Sequence, residues 1–456
     1  METTPPFDLS ELKRDWIEGV SGRSFNQRVR RRITQIRAKG LAAHTRGVMI
    51  LERDPVAFSA AFFAACYLRM PIILGNRRWQ RREWEEVMAL VNPAVIFGNA
   101  PFTERKRPRF EKNPNPSTIL IPTGGSSGGV KFAVHRWETL SAACEGLHAF
   151  LGAGPIDSCC VLPLFHVSGL MQLMRSFLSK GSIAFPDFKE LQLGQFPGFK
   201  SGTLCLSLVP TQLQRLMTQK RVANRLLLAR AIFIGGAPIP GTVAKRARAL
   251  KLPIVLTYGM TETGAMVATL PPDEFLVDEC NVARPLKHVK IDILTDQGAL
   301  CKKGKSGRIR IKSRALFKGY HGCSPLDLHE GYLTDDEGYI GRGGRLHVLG
   351  RRDRLIISGG EKIDPKEVEA AIMETGSVEQ VLAMGWPDDE WGQKLVAFYV
   401  VSGVVTNERK WEEELRADLA NYKVPKLIIQ VPILPLDDKG KVDRKLMASL
   451  IANNLK

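Results

Sequence analysis

The feature that most constrains this fold is a recurring pair: a short apolar run of strand length, then a loop carrying glycine, proline or histidine. It occurs at Gly47-Val-Met-Ile-Leu51, Ala94-Val-Ile-Phe97, Cys159-Cys-Val-Leu162, Thr203-Leu-Cys-Leu206, Ala231-Ile-Phe-Ile234 and Ile254-Val-Leu-Thr257. Helical stretches separate these runs. Apolar runs joined by helices are what parallel strands covered on both faces require. In open sheets of this kind ligands sit outside the carboxyl ends of the strands. The most apolar stretch, Val56 to Leu68, is too short to span a bilayer and stops at Arg69. It reads as a buried helix, followed by Pro71-Ile-Ile-Leu74 as a buried strand.

The texture changes twice. From about residue 285, Val289-Lys-Ile-Asp-Ile293 and Gly307-Arg-Ile-Arg-Ile-Lys312 alternate apolar and polar residues, as half-exposed strands do. Near residue 350, Gly350-Arg-Arg-Asp-Arg354 makes a polar break. Beyond it Asp364-Pro365 offers a helix start, Val368, Ala371 and Ile372 make an apolar stripe, and strands are expected at Val378 to Met384 and Lys394 to Val401. A charged helix near Glu408 to Leu419 and a last helix near Asp443 complete the unit. With 456 residues, more than one core is expected. The predicted fold is α/β: a large N-terminal domain of parallel sheets with helices (1–351), containing a small β-rich subdomain at about 285–345. A hinge at 352–354 then leads to a smaller, mobile α+β C-terminal domain at 355–456.

Five motifs carry possible chemistry. In Ile119-Leu-Ile-Pro-Thr123-Gly-Gly-Ser-Ser-Gly-Gly-Val-Lys131 a strand enters a loop of four glycines, with hydroxyls and a closing lysine. Glycines let backbone N–H groups approach an anion, and hydroxyls and lysine add donors and charge, so the loop suits phosphate. No G-K-[ST] closes it, so it is not a Walker A loop, and a flexible surface loop is the bland alternative. Tyr258-Gly-Met-Thr-Glu-Thr-Gly264 follows a strand. Its glutamate suits Mg²⁺, unless the segment is only a capping turn. Gly235-Gly-Ala-Pro238 is either a simple turn or a nucleotide contact. Gly331-Tyr-Leu-Thr-Asp-Asp-Glu-Gly338 offers carboxylates to ribose hydroxyls or is a solvated turn. Pro435-Leu-Asp-Asp-Lys-Gly-Lys-Val-Asp-Arg444, read alone, is a solvated hairpin.

In this order the motifs resemble those of the adenylate-forming superfamily of acyl-CoA synthetases, peptide-synthetase adenylation domains and luciferases, from about residue 45 to 450. Thr123, Gly125, Ser126, Ser127, Gly128 and Lys131 match its phosphate loop; Gly124 stands for the usual serine and Gly129-Val130 for x-Pro. Gly236, Ala237 and Pro238 are similar to its adenine-binding segment, and Tyr258, Gly259, Met260, Thr261 and Glu262 to its Y-G-x-T-E motif. Asn281-Val-Ala-Arg-Pro285 is similar to its G-x-x-G-x-P turn, with Ala283 for a glycine. Thr334-Asp-Asp336 resembles its T-G-D motif. The resemblance implies that Asp336, helped by Arg351, holds the ribose, that Asp353 is the hinge, and that Ser358, Gly359 and Gly360 approach the thiol tunnel. It implies that Lys441 is the catalytic lysine, that Thr261 and Glu262 share the catalytic site with Glu262 on the metal, and that His166, Gly169 and Gly235 line the acyl pocket.

The resemblance further implies two half-reactions, with ATP, Mg²⁺ and coenzyme A. A small-molecule carboxylate attacks the α-phosphorus of ATP, and a thiol then takes the acyl group as the C-terminal domain rotates. The Thr-Gly-Gly-Ser-Ser-Gly loop and the chain length, with no carrier domain after Lys456, are most similar to 2-succinylbenzoate–CoA ligases of menaquinone and phylloquinone synthesis. Another aryl- or acyl-CoA ligase, or a non-catalytic nucleotide-binding relative, stays open. The net charge of +18 suits anionic small substrates. No aromatic-basic motif points to nucleic acid. Scattered cysteines without a C-x-x-C pair, and no targeting signal or membrane span, lead to the expectation of a cytoplasmic monomer or homodimer.

Overall fold

The computed structural model describes residues 4–100, 114–124, 129–152, 154–199, 202–237, 239, 241–277, 282–324, 326–351, 356–375, 378–401, 408–435 and 444–454. Three sheets organise them. The first runs, edge to edge, Val95–Gly98, Val48–Leu51, Ile72–Leu74, Thr118–Gly124 and Val130–Arg136. Its first four strands are parallel, and the last returns antiparallel as the second arm of a hairpin. That hairpin is the motif at Thr123 to Lys131: Thr123 pairs with Lys131 and Gly124 with Val130. Gly125, Ser126, Ser127 and Gly128 lie outside the described residues.

The second sheet has eleven strands. Ile183–Ala184, Asp157–Cys159, Leu204–Leu208, Ala231–Ile234 and Ile254–Met260 form its parallel half. Leucine, isoleucine and alanine fill both faces, as strands buried between helices require. The chain then turns antiparallel through Ala265–Leu270 and Val282–Pro285 into Leu346–Arg351, Tyr332–Ile340, Gly307–Ser313 and Val289–Leu294. The β-rich portion is therefore hydrogen-bonded to the main sheet through Val282–Pro285. The turn anticipated there is a strand, with Ala283 paired to Leu346. Likewise the strand anticipated at Cys159 to Leu162 ends at Cys159, and the chain leaves the sheet toward His166.

The helix Pro55–Tyr67 starts on Asp54, whose side chain caps Ala57 N. It is buried from Phe58 to Cys66, which is why it is apolar all round. Phe63 packs edge-on against Phe7 and Trp16, joining the first residues of the chain to this core. Among the described residues no helix is long and apolar enough to cross a membrane.

The third sheet belongs to a separate C-terminal unit, the lid. It comprises Glu361–Ile363, Ile356–Ser358, Gly392–Val400, Gln380–Asp388 and, parallel to Gly392–Val400, Leu427–Gln430. The helix Pro365–Glu374 buries Val368, Ala371 and Ile372 against it, the stripe read from the sequence. The helix Arg444–Asn454 covers the other face through Met447 and Ile451.

Candidate active site

The carboxyl ends of the parallel strands open into a cavity of about 1800 Å³ that the lid roofs. Its wall is assembled from loops that each follow a strand: Leu162 to His166, Val209, Gly235 to Ala237, and Met260 to Glu262. Distant motifs therefore meet because each terminates a neighbouring strand of one sheet.

At one corner the strand Ile254–Met260 carries a bulge between Tyr258 and Gly259. A side chain at Gly259 would run into the Ala265 carbonyl oxygen, so the bulge requires glycine. The bulge aims Tyr258 across the cavity, where its hydroxyl donates to Asp336 Oδ2 at 2.6 Å. Asp336 sits on Tyr332–Ile340, where its N–H donates to Thr334 Oγ1 at 3.1 Å. Arg351 stands opposite Asp336 in the ladder. Gly236 and Ala237 line the same cavity; Pro238 lies outside the described residues.

Glu262 lies beneath this corner, 6% exposed. One oxygen, Oε1, accepts from the Tyr320 hydroxyl at 2.6 Å. The other, Oε2, is buried with no hydrogen-bond partner among the described residues. A carboxylate with one fixed and one open oxygen fits a hard cation such as Mg²⁺. Burial and the adjoining Glu262 push the Tyr320 hydroxyl well above its ordinary pKa, so it stays a donor. The Lys131 ammonium faces the Tyr320 ring, 5.7 Å from its centroid. Tyr320 thus touches both the metal-type carboxylate and the loop lysine. Behind them, fully buried His135 contacts the Thr261 carbonyl oxygen through Nε2 at 2.7 Å and Thr139 Oγ1 through Nδ1 at 3.0 Å. A carbonyl only accepts, so Nε2 carries the proton. Burial drives the His135 pKa down to about 4, which keeps the ring neutral.

The cavity lining also includes the apolar side chains of Val161, Met171, Phe233 and Met266, together with His166. Burial lowers the His166 pKa, and its Nε2 faces Glu361 Oε1 of the lid at 3.7 Å. Here the structure places Arg175, 3% exposed, on the helix Val167–Leu178. Its guanidinium donates to Ser158 Oγ at 3.3 Å and Ser207 Oγ at 2.9 Å and lies 5.2 Å from the Phe233 ring centroid. No carboxylate pairs with it among the described residues. The nearby thiols of Cys144 and Cys160 are pushed by burial to about 12 and carry no charge. A buried cation with neutral partners is costly unless something else supplies the anion.

At the lid side, Gly359 and Gly360 line the cavity, both with positive φ (59° and 86°). A Cβ on Gly360 would stand 2.7 Å from Val209 Cγ1, so only glycine permits this approach to the body. Trp391 lies alongside, with Lys426 5.2 Å and Arg215 5.9 Å from its ring.

Of the residues singled out by sequence, Thr123, Lys131, His166, Gly235, Gly236, Ala237, Tyr258, Gly259, Met260, Thr261, Glu262, Asp336, Gly359 and Gly360 line one cavity. Gly169 does not: a side chain there would strike the Pro163 carbonyl, so its role in the fold is close packing. Ser358 is buried in its strand behind the glycine turn. Asp353 and Lys441 lie outside the described residues. Sequence reasoning missed Arg175, Tyr320 and His135. Arg175 left a signal, the single charged residue in Val167-Ser-Gly-Leu-Met-Gln-Leu-Met-Arg-Ser-Phe-Leu178. Tyr320 left none, because its contact with Glu262 spans 58 residues.

Comparison with known proteins gives the family. Residues 99–321 match the AMP-binding enzyme family and residues 367–441 the AMP-binding enzyme C-terminal domain. The chain belongs to the AMP-binding enzyme family. A 2-succinylbenzoate–CoA ligase of Lactococcus lactis is 32% identical over 418 residues, covering 87% of this chain and 89% of its own length. Among solved structures, a double mutant of o-succinylbenzoate CoA synthetase from Bacillus subtilis bound with a product analogue aligns with a TM-score of 0.79 at 23% identity, covering 95% of this chain and 94% of that one. The same enzyme in complex with ATP and magnesium ion aligns at 0.63 and 22% identity, covering 95% of each. At these identities the structural likeness concerns the fold.

Proposed function

We propose that this protein is an ATP-dependent acid–thiol ligase that converts 2-succinylbenzoate to 2-succinylbenzoyl-CoA through an acyl-adenylate, a step of menaquinone biosynthesis. Curated relatives of this name at 32% identity along nearly the full chain support the reaction. The observation that carries the substrate is Arg175. A dicarboxylate spends one carboxyl on adenylation, and its second enters the acyl end still charged. A buried guanidinium that no carboxylate among the described residues pairs with would supply the counter-charge there, and Met171, Phe233 and Val161 of the same lining would contact the ring.

In the first half-reaction a carboxylate oxygen attacks the α-phosphorus of ATP and pyrophosphate leaves. This chemistry is mainly positioning and charge neutralisation. Thr123, the loop 124–128 and Lys131 would hold the phosphates, Tyr258 and Asp336 the nucleoside, with Arg351, Gly236, Ala237 and Pro238 around it. Mg²⁺, when bound, neutralises phosphate charge, and Glu262 is the side chain that would hold it. Lys441 would stabilise charge developing on the α-phosphate. In the second half-reaction the thiol of coenzyme A attacks the acyl carbon and AMP leaves. Access would run past Gly359 and Gly360. We read the packing of Gly360 against Val209 and Gly236 as the lid arrangement used for thiol transfer.

The test is pyrophosphate release with a panel of carboxylic acids. 2-Succinylbenzoate should give the highest kcat/KM. Equal rates with simple fatty or monocarboxylic aryl acids would overturn the substrate assignment.

A further inference from the structure

Among the described residues, besides the longer His166–Glu361 approach, the lid meets the body at three lysine or arginine ion pairs, and one is unlike the others. Arg82–Glu374 and Arg215–Glu390 are solvent-exposed pairs, with side chains 33–64% accessible. Exposed pairs of this kind contribute little. The third is buried: Lys423 Nζ of the lid donates to Glu83 Oε1 of the body at 2.6 Å and to Glu367 Oε1 of the lid at 2.9 Å. The three side chains are 8%, 3% and 10% accessible.

The two carboxylates are fixed independently of the lysine. Glu83 is the third residue of the helix Arg81–Leu90, and its Oε2 accepts from Gln80 N at 3.1 Å, closing a capping box. Glu367 lies in the first turn of Pro365–Glu374. A helix start favours negative charge at both places. Burial works against the Lys423 charge, but Tyr422, Glu83 and Glu367 around it hold its pKa above the ordinary lysine value. Lys423 and Glu367 travel together on the lid. Glu83 alone belongs to the body, so a turn of the lid would break the Glu83–Lys423 bond.

We propose that Glu83 is a positioning residue for thiol transfer: its carboxylate seats Lys423 and so holds the Gly359–Gly360 turn against Val209 at the thiol mouth. The proposal rests on the ligase reading above. On that reading the lid turns for adenylation, which would leave Lys423 with Glu367 and Glu83 with its helix cap. The latch therefore stabilises one half-reaction's geometry through the lid rather than through the reacting atoms.

The test separates the half-reactions. Glu83→Gln keeps an acceptor for Gln80 N and leaves Lys423 paired with Glu367, so the side chain changes little but its charge. Single-turnover transfer from pre-formed acyl-adenylate to coenzyme A should slow about tenfold, the loss of roughly 1.4 kcal/mol. ATP–pyrophosphate exchange should be unchanged or faster. Glu83→Asp keeps the charge but withdraws it by about 1.5 Å, one bond length, and should show the same selectivity should the glutamine variant fail to fold. Glu367→Gln retains the cross-unit pair and should transfer within about twofold of wild type. Equal slowing of both half-reactions, unchanged transfer in both Glu83 variants, or a Glu367→Gln defect as large as that of Glu83→Gln would each overturn the latch. Wild-type protein that makes no acyl-adenylate would instead overturn the ligase reading, and the latch with it.

Discussion

Replacing Arg175 by methionine probes the substrate assignment most directly. Arg175 is 3% exposed, is held by Ser158 and Ser207, and lines the cavity beside the Phe233 ring. Removing one member of a buried, hydrogen-bonded charge pair costs about 2–5 kcal/mol of binding. At about 1.36 kcal/mol per decade that predicts a fall in kcat/KM for 2-succinylbenzoate of roughly 30- to 5,000-fold. The monocarboxylate whose ring carboxyl is replaced by hydrogen should lose far less. Stability should behave differently. The variant loses two charge-assisted hydrogen bonds but also sheds the burial cost of a cation with neutral partners, and Ser158 keeps Ser176 as a partner at 2.8 Å. A net change within about 1 kcal/mol follows. The assay pairs pyrophosphate-release kinetics on both acids with urea unfolding. An equal loss on both acids, or destabilisation of about 3 kcal/mol or more, would mean that Arg175 serves the core and would refute the argument.

Lys441→Ala should abolish ATP–pyrophosphate exchange while sparing transfer from a pre-formed acyl-adenylate; normal exchange would remove Lys441 from the chemistry. Tyr320→Phe deletes the hydrogen bond to Glu262, worth about 1.5–3 kcal/mol to a charged group, and should raise the Mg²⁺ concentration needed for half-maximal ATP binding by calorimetry; an unchanged Mg²⁺ dependence counts against it. His135 has a folded pKa of about 4 against an ordinary 6.5, so the unfolded chain takes up the proton first and stability falls as pH drops from 6.5 through 4. Between pH 7 and pH 5 wild type should lose about 2 kcal/mol more than His135→Gln in urea titrations, and parallel losses would show that another group is responsible.

The local parts of this protein were legible because they depend on short-range rules. The buried helix Pro55–Tyr67 and the parallel strands follow from run length and apolar content. The lid helix Pro365–Glu374 follows from Asp364-Pro365 and a stripe at helical spacing. The site motifs, each open on its own to a plain turn, were singled out by their order along the chain, which resembles that of the adenylate-forming enzymes. Strand ends were less legible. The sequence could not place the end of the strand after Asp157, nor show that Val282–Pro285 pairs rather than turns, because pairing depends on a partner elsewhere in the chain.

By itself, then, the sequence determined which residues could bind anions and metal, and their order along the chain resembled the adenylate-forming enzymes. Tertiary structure decided what those residues face. It set Tyr320 on Glu262, His135 under Thr261, Arg175 beside Phe233 in the cavity lining, and Lys423 between Glu83 and Glu367. The physical reason is common to all four. A charge or hydroxyl acquires its meaning from the partner that desolvation forces upon it, or from the one still missing. Here those partners lie up to 340 residues away.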